Sequence, residues 1–453
     1  MKRIVALACL VAGCHASEEN LGFSAVGTPR WAVTFGGPND DEGRAAAVDS
    51  LGDVVVGGTL DAMAAPGETN AWLARGFITK RVASDGAERW TRTFTSMGVR
   101  SASWITDVAV GAQDTVIAVG AYTGTVDFGG QMLSDPDNSG GGFVAAYSSQ
   151  GQLLWLNGFE NTQPLTVVTD REGRIYAAGV FVSTSLDLGG TIYTESAGDQ
   201  DSFVAAYDPQ GALVWGTAFQ ATGGPVATGL AIAGNGDLLV TGGLAAPASL
   251  GGAVLDPQAD SAVFLTRFRR DGLYLASQRL GRMGAYAAVS ASIAVDASGH
   301  IVIQRVEQDN SQARQPRPNI VQVLADDGHE LWSSTIDDRG SYGPQIRTLA
   351  TTPDGLIVTS SWTDNPVVPD EGSMEVVTYD AAGQSGMDAF GERVAHFVGQ
   401  TLSYDTAVGA AGSLAYTGAF GGQVDFGAGG PAGTHGEYDT DVFIVAVDPP
   451  PAL

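Results

Sequence analysis

Asp208-Pro-Gln-Gly-Ala-Leu-Val-Trp215 is the stretch whose reading decides the fold. Its core, a glycine followed four places later by a tryptophan, returns at Gly86 and Trp90, at Gly151 and Trp155, and at Gly328 and Trp332. Two degenerate copies keep the offset without the indole, Gly272 with Ala276 and Gly383 with Met387. A seventh, Trp31-Ala-Val-Thr-Phe35, matches Trp90-Thr-Arg-Thr-Phe94 but lacks the glycine. The intervals are 59, 65, 60, 61, 56 and 55 residues. A period of this size marks a repeat architecture and is read before local structure.

Each unit holds four strand-like words. The first two flank a turn glycine, as in Ala45 to Asp49, then Gly52, then Asp53 to Gly57; a glycine also occupies this turn at 173, 236, 299, 355 and 412. A two-stranded turn that needs positive φ selects glycine there. The third word is apolar, as in Phe143 to Tyr147 and Phe203 to Tyr207, and the fourth carries the tryptophan. Four short antiparallel strands repeated radially make a propeller blade, too small to bury its faces alone. The prediction is an all-β fold, a seven-bladed β-propeller of four-stranded antiparallel blades over residues 31–448. The last copy ends at Val447 without a fourth strand, and the orphan fourth strand is Trp31 to Phe35. The N-terminal strand is therefore predicted to pair into the last blade and close the ring, which also removes an exposed edge. Alanine at 47, 109, 231, 294, 350 and 407 suits first strands crowded at the axis, and the tryptophans are expected to fill outer volume as core residues.

Bulk composition agrees. Of 453 residues 62 are glycine, 44% are hydrophobic and 16% charged, which suits a packed β protein. With 23 basic and 50 acidic residues the formal charge is −27, which repels nucleic acid and anionic lipid and leaves cations or basic partners. Both cysteines, Cys9 and Cys14, precede the repeats, so the body holds neither a disulfide nor a cysteine metal site.

The first residues read as an address. Met1-Lys2-Arg3 is basic, and Ile4 to Ala12 is an apolar run too short to span a bilayer. Val11-Ala12-Gly13-Cys14 resembles the lipobox of bacterial lipoproteins. That resemblance implies a signal peptide over 1–13, lipid attachment at Cys14, a tether over 14–30 and, with His rather than Asp at position 15, an outer-membrane address. Residues 449–453 are a tail. The expected protein is a monomer that meets the membrane only through its lipid.

The words WAVTFGG (31–37), AVDSLGDVVVGG (47–58), VDFGG (126–130) and DSFVAAYD (201–208) resemble the bacterial SBBP-type β-propeller repeat of exported proteins. The resemblance implies a propeller and assigns no functional residue. Repeats five and six depart from it by losing the Phe-Gly-Gly word, and repeat five carries an insert, Arg314-Gln-Pro-Arg-Pro318. A second resemblance, through Asp208 to Trp215, is to quinoprotein-like propellers, among them envelope-assembly lipoproteins that share the fold without cofactor.

Long connections fall at one end of such a ring, and long loops on a rigid scaffold usually carry binding. Here they hold Asn39-Asp-Asp-Glu42, Asp135 and Asp137, Asp199 and Asp201, Glu307 and Asp309, and Asp370-Glu371. An acidic face of this kind could take a basic ligand or Ca²⁺, although no calcium-loop motif is present. His435-Gly-Glu437-Tyr-Asp439-Thr-Asp441 alternates metal-ligand types but reads better as a polar loop, and His300 and His329 fall in short, solvent-facing turns. Asp107 and Asp405 each precede a central alanine by two and could face the axis as an acid/base pair. No nucleophile or phosphate-loop motif occurs, and no residue is assigned as catalytic, cofactor-binding or metal-ligating. The expected role is a non-enzymatic envelope module that binds a protein or glycan through the acidic long-loop face. The alternatives are an exported polysaccharide hydrolase or lyase, or an envelope-assembly scaffold.

Overall fold

The computed structural model describes residues 29–64, 72–98, 100–182, 185–189, 192–194, 200–219, 224–257, 261–283, 291–306, 319–336, 346–364, 372–380, 393–397, 400–421, 423–424, 426, 432–433 and 439–449. The fold is all-β and propeller-like. Five four-stranded antiparallel sheets stand alone. The third repeat, for example, runs Thr162–Thr169, Ile175–Phe181, Asp201–Tyr207 and Leu213–Phe219. The seventh runs Gln400–Val408, Leu414–Gly421 and Thr440–Val447, and its fourth strand is Pro29–Phe35 from the other end of the chain. Trp31 pairs with Ala446 and Phe35 with Val442, the antiparallel register expected for the N-terminal strand.

Seven free-standing blades were expected, and that count is corrected: repeats one and two are joined in one ten-stranded sheet. The joint is a single parallel bridge, Ala74 opposite Ala102. Both alanines are buried, and neither has atoms beyond Cβ to hold the two backbones apart. On either side of that bridge the two halves still pack face to face, with Val55 and Ile78 of repeat one against Val116, Ala118 and Phe143 of repeat two.

The core is divided among the seams between successive repeats rather than gathered at one centre. Ile117, Val119 and Val144 of repeat two meet Ile175, Ala177 and Phe203 of repeat three. Ala407, Ala415 and Ile444 of repeat seven meet Ala46, Val54 and Phe77 of repeat one. Each fully buried Val or Phe at such a seam contributes roughly 1.5–3 kcal/mol, so no repeat is stable without its neighbours. The first strands of the seven repeats neighbour one another in chain order, and Gln400–Val408 neighbours Asp40–Val48 in turn.

The glycine-to-tryptophan word is explained across the seams. The Trp31 indole N–H donates to the Ala83 carbonyl at 2.9 Å, and a Cβ at Gly86 would lie 2.7 Å from the Trp31 ring. Trp90 donates to Ser149 against Gly151, Trp155 to Pro209 against Gly211, and Trp215 to Arg270 against Gly272. Each indole thus docks on the short outer turn of the following repeat. Those glycines have φ between 70° and 89°, so both conformation and close approach require them. Two places after the tryptophan a second donor repeats: Arg92 to Gly151 O and Asn157 to Gly211 O. The latch residue Trp31 obeys the same rule as tryptophans in the continuous repeats, which places repeat seven directly before repeat one.

Candidate functional site

The ring has two unlike ends. At one end the inner turns are short; in repeats one, three and five an aspartate fixes them, and in repeats four and six Asn235 and Thr352 take that role. Asp49 accepts the N–H groups of Leu51 and Asp53, and Asp170 those of Glu172 and Arg174. Asp296 repeats the pattern with Ser298 and His300, and Asp208 does the same in the outer turn of repeat three with Gln210 and Ala212. In each, a positive-φ glycine follows three places after the aspartate. His300 and His329 lie at this end. His329 is exposed beside Asp327, whereas His300 is half-buried, its Nδ1 2.9 Å from Asp296, so the expectation of a solvent-facing ring is corrected there.

A cavity of about 710 Å³ opens on the short-turn end, lined by Thr169, Ile232, Val295, Thr351 and Val408, the last residues of five inner strands, together with their turns. Several of its polar groups are committed to the protein. Thr169 donates to Val110 O and Thr351 to Val295 O, each across a seam, and Arg270 pairs with Asp170 and Glu172. A second cavity of about 770 Å³ lies at the rim between repeats two and three, lined by Leu156 to Glu160, Ser185, Asp187 to Gly189 and Gly211 to Leu213.

Asp107 and Asp405 are brought to equivalent places by a bulge. The first strands shift register just before these residues, between Ile105 and Asp107 and between Ser403 and Asp405, and similar shifts precede Ala45, Thr166, Gly229 and Thr348. A bulge re-aims the side chain that follows it. The result is a staple across a seam: Asp107 Oδ2 accepts the Val167 N–H at 2.8 Å, and Asp405 Oδ2 accepts the Ala46 N–H at 2.7 Å. Each second oxygen accepts the N–H of the next residue, Val108 or Thr406. Both residues keep some surface, yet protein surrounds their carboxyls on most sides. Desolvation pushes Asp107 up to about 7 against the hydrogen bonds of Val167, Thr166 and Val108. Asp405 is raised well above the ordinary value, by desolvation first and by the Asp107 charge second.

At the opposite end the acidic loops are less open than their composition suggests. Asp41 is fully buried; its Oδ2 accepts the Gly37 N–H at 2.5 Å and its Oδ1 the Asp61 N–H at 2.7 Å. Burial raises it to about 6, and Asp61 and Asp441 add to the rise. Asp61 also takes Arg75. Asp135 is buried and caps its own loop at Ser139 and Gly140, while Asp137 is exposed and held below the usual carboxylate range by bonds to Asp135 and Ser139. Asp201 is buried. Asp199, Glu307, Asp309, Asp370, Glu371, His435, Glu437, Cys14 and the 314–318 insert lie outside the described residues. Among the described residues no group of three or more His, Cys, Asp or Glu is arranged to hold a metal ion, and no helix is long and apolar enough to cross a membrane.

No family model matches the chain, and no curated protein does. Among solved structures it is similar to the quinohemoprotein alcohol dehydrogenase of Comamonas testosteroni, at 12% identity and a TM-score of 0.44, over 96% of this chain and 78% of that one. At that similarity no residue of the dehydrogenase is carried onto this chain.

Proposed function

We propose that this protein is a non-enzymatic binding or scaffolding module of the bacterial cell envelope, anchored by lipid at Cys14 and presenting its long loops to a protein or glycan. The observation that supports this reading most is the use of the axial carboxylates. Asp107 and Asp405, the pair best placed for acid/base work, each accept two main-chain N–H groups and join neighbouring repeats. A group so engaged holds the scaffold in register. We count the ring as seven SBBP-like blades, taking the ten-stranded sheet as two, because its halves pack on each other as separate sheets do. An outer-membrane address is part of the same reading.

Capture from an envelope extract with the purified protein as bait tests it, alongside Asp107→Asn and Asp405→Asn. A partner held equally by wild type and both variants supports the binding module. Polysaccharide cleavage by the wild type that disappears in Asp107→Asn would replace it with the hydrolase or lyase.

A further inference from the structure

The latch strand enters the ring from one end only. Pro29 pairs with Val447, Val447 with Leu414, and Leu414 with Val408, the two residues that bracket a short inner turn. Pro29 therefore lies at the short-turn end, and Phe35 at the long-loop end. Its entry is pinned there: Arg30 Nε donates to Asp448 at 2.8 Å, and Arg30 Nη1 and Trp31 Nε1 both donate to Ala83 O at 2.9 Å. Fourteen residues, 15–28, separate Cys14 from this point. A flexible chain of that length has a root-mean-square reach of about 20 Å. Strands of seven to nine residues make the ring roughly 25 Å tall, so such a tether would be used up merely in passing the rim to the other end.

The same end carries exposed aliphatic side chains. Leu51, 70% exposed, tips the first short turn of repeat one. Leu154, Val214, Leu275 and Leu331, each one place before the tryptophan position of repeats two to five, are exposed where fourth strands leave their short turns, with Leu273 exposed beside Leu275. In repeats seven and one the corresponding places hold Arg30 and Arg89, which pair with Asp448 and Asp53. A body of formal charge −27 is repelled by anionic lipid but not by neutral headgroups.

We propose that the short-turn end is the membrane-facing surface of this protein, apposed to a zwitterionic phospholipid bilayer, with the long-loop end held outward. The proposal rests on lipid attachment at Cys14. The test places the mature lipoprotein on phosphatidylcholine vesicles containing an acceptor lipid. Identical donor dyes are attached at Gln210→Cys on the short-turn end or at Asp137→Cys on the long-loop end, both exposed positions. Transfer from position 210 should exceed that from 137 by at least about twofold. Equal or reversed transfer overturns the orientation. Absence of an acyl mass on residue 14 would sink the anchor reading instead. The two probes are then compared on protein held by a hexahistidine tag at position 14 to nickel-chelating lipid, where the same inequality supports the orientation and its loss overturns it. Leu51→Ser with Leu273→Ser should bring the two transfers closer; an unchanged ratio overturns apposition through these side chains.

Discussion

The seam between repeats seven and one and the seam between repeats four and five use the same outer turn with different side chains. At the first, the Trp31 indole lies against Gly86 and bonds Ala83 O. At the second, Ala276 takes the place of the indole, paired with Arg267 as Trp215 is with Ala206. There Gln278 fills in below Gly328, its Nε2 donating to the Gly328 carbonyl at 3.1 Å. The four–five seam has no indole there and keeps the Gln278 amide and an Arg267–Asp326 ion pair beside its apolar packing. At the seven–one seam the full dock joins Trp31 to Ala83, 52 positions on, and the break in the chain falls inside repeat seven, where Trp31 pairs with Ala446. The distant ends of the chain meet as a strand pair inside repeat seven, and that ladder together with the Trp31 dock must offset the entropy cost of closing the ring.

That contrast breaks most visibly at Trp31. Trp31→Ala should cost about 3–5 kcal/mol in urea unfolding, as loss of a buried indole does elsewhere. It should also speed hydrogen exchange along Trp31 to Phe35, and a variant with native exchange there would mean the indole is not what closes the ring. Next comes Gly86→Ala, expected to cost about 2 kcal/mol, because the new methyl meets a ring as well as a φ of 70°. Gly299→Ala, at φ 85° with open space around it, should cost about 1 kcal/mol. Equal losses would show that backbone conformation alone fixes these glycines.

The pH response separates seams stapled by carboxylates from those joined by hydroxyls, such as Thr348 to Thr406. Asp107 is raised in the folded protein, so its contribution is fully present below the ordinary carboxylate value and lost as pH rises through about 7. The urea midpoint should therefore fall between about pH 4 and pH 7 and level off above, with a slope of at most about 1.4 kcal/mol per pH unit from this group. Asp107→Asn should flatten that slope; an unaltered profile would show that Asp107 is not the titrating group. The smallest effect is expected from Gln278→Ala, about 1 kcal/mol for one side-chain hydrogen bond. A larger loss would mean that the amide replaces more of the dock than its single bond.

The sequence by itself determined the repeat, most of its strands and the strand that completes repeat seven. The fourth strand of repeat six is Arg393–Phe397, while the expected stretch from Gly383 to Met387 lies outside the described residues. Periodicity, turn glycines and an orphan Trp31 are local signals, and a strand edge left open is costly enough to name its partner. It also pointed to Asp107 and Asp405 by their spacing from a central alanine. Only the tertiary structure decided what those residues do. The bulge ahead of Asp107 turns its carboxylate onto Val167 of the next repeat, and the partner of each indole is a turn some 60 residues on. The Ala74–Ala102 bridge was equally invisible, since two small residues invite close approach anywhere and only packing selects which pair meets. Contacts within a repeat are written in its own pattern. Contacts between repeats depend on how two faces fit, and that fit is a property of the assembled ring.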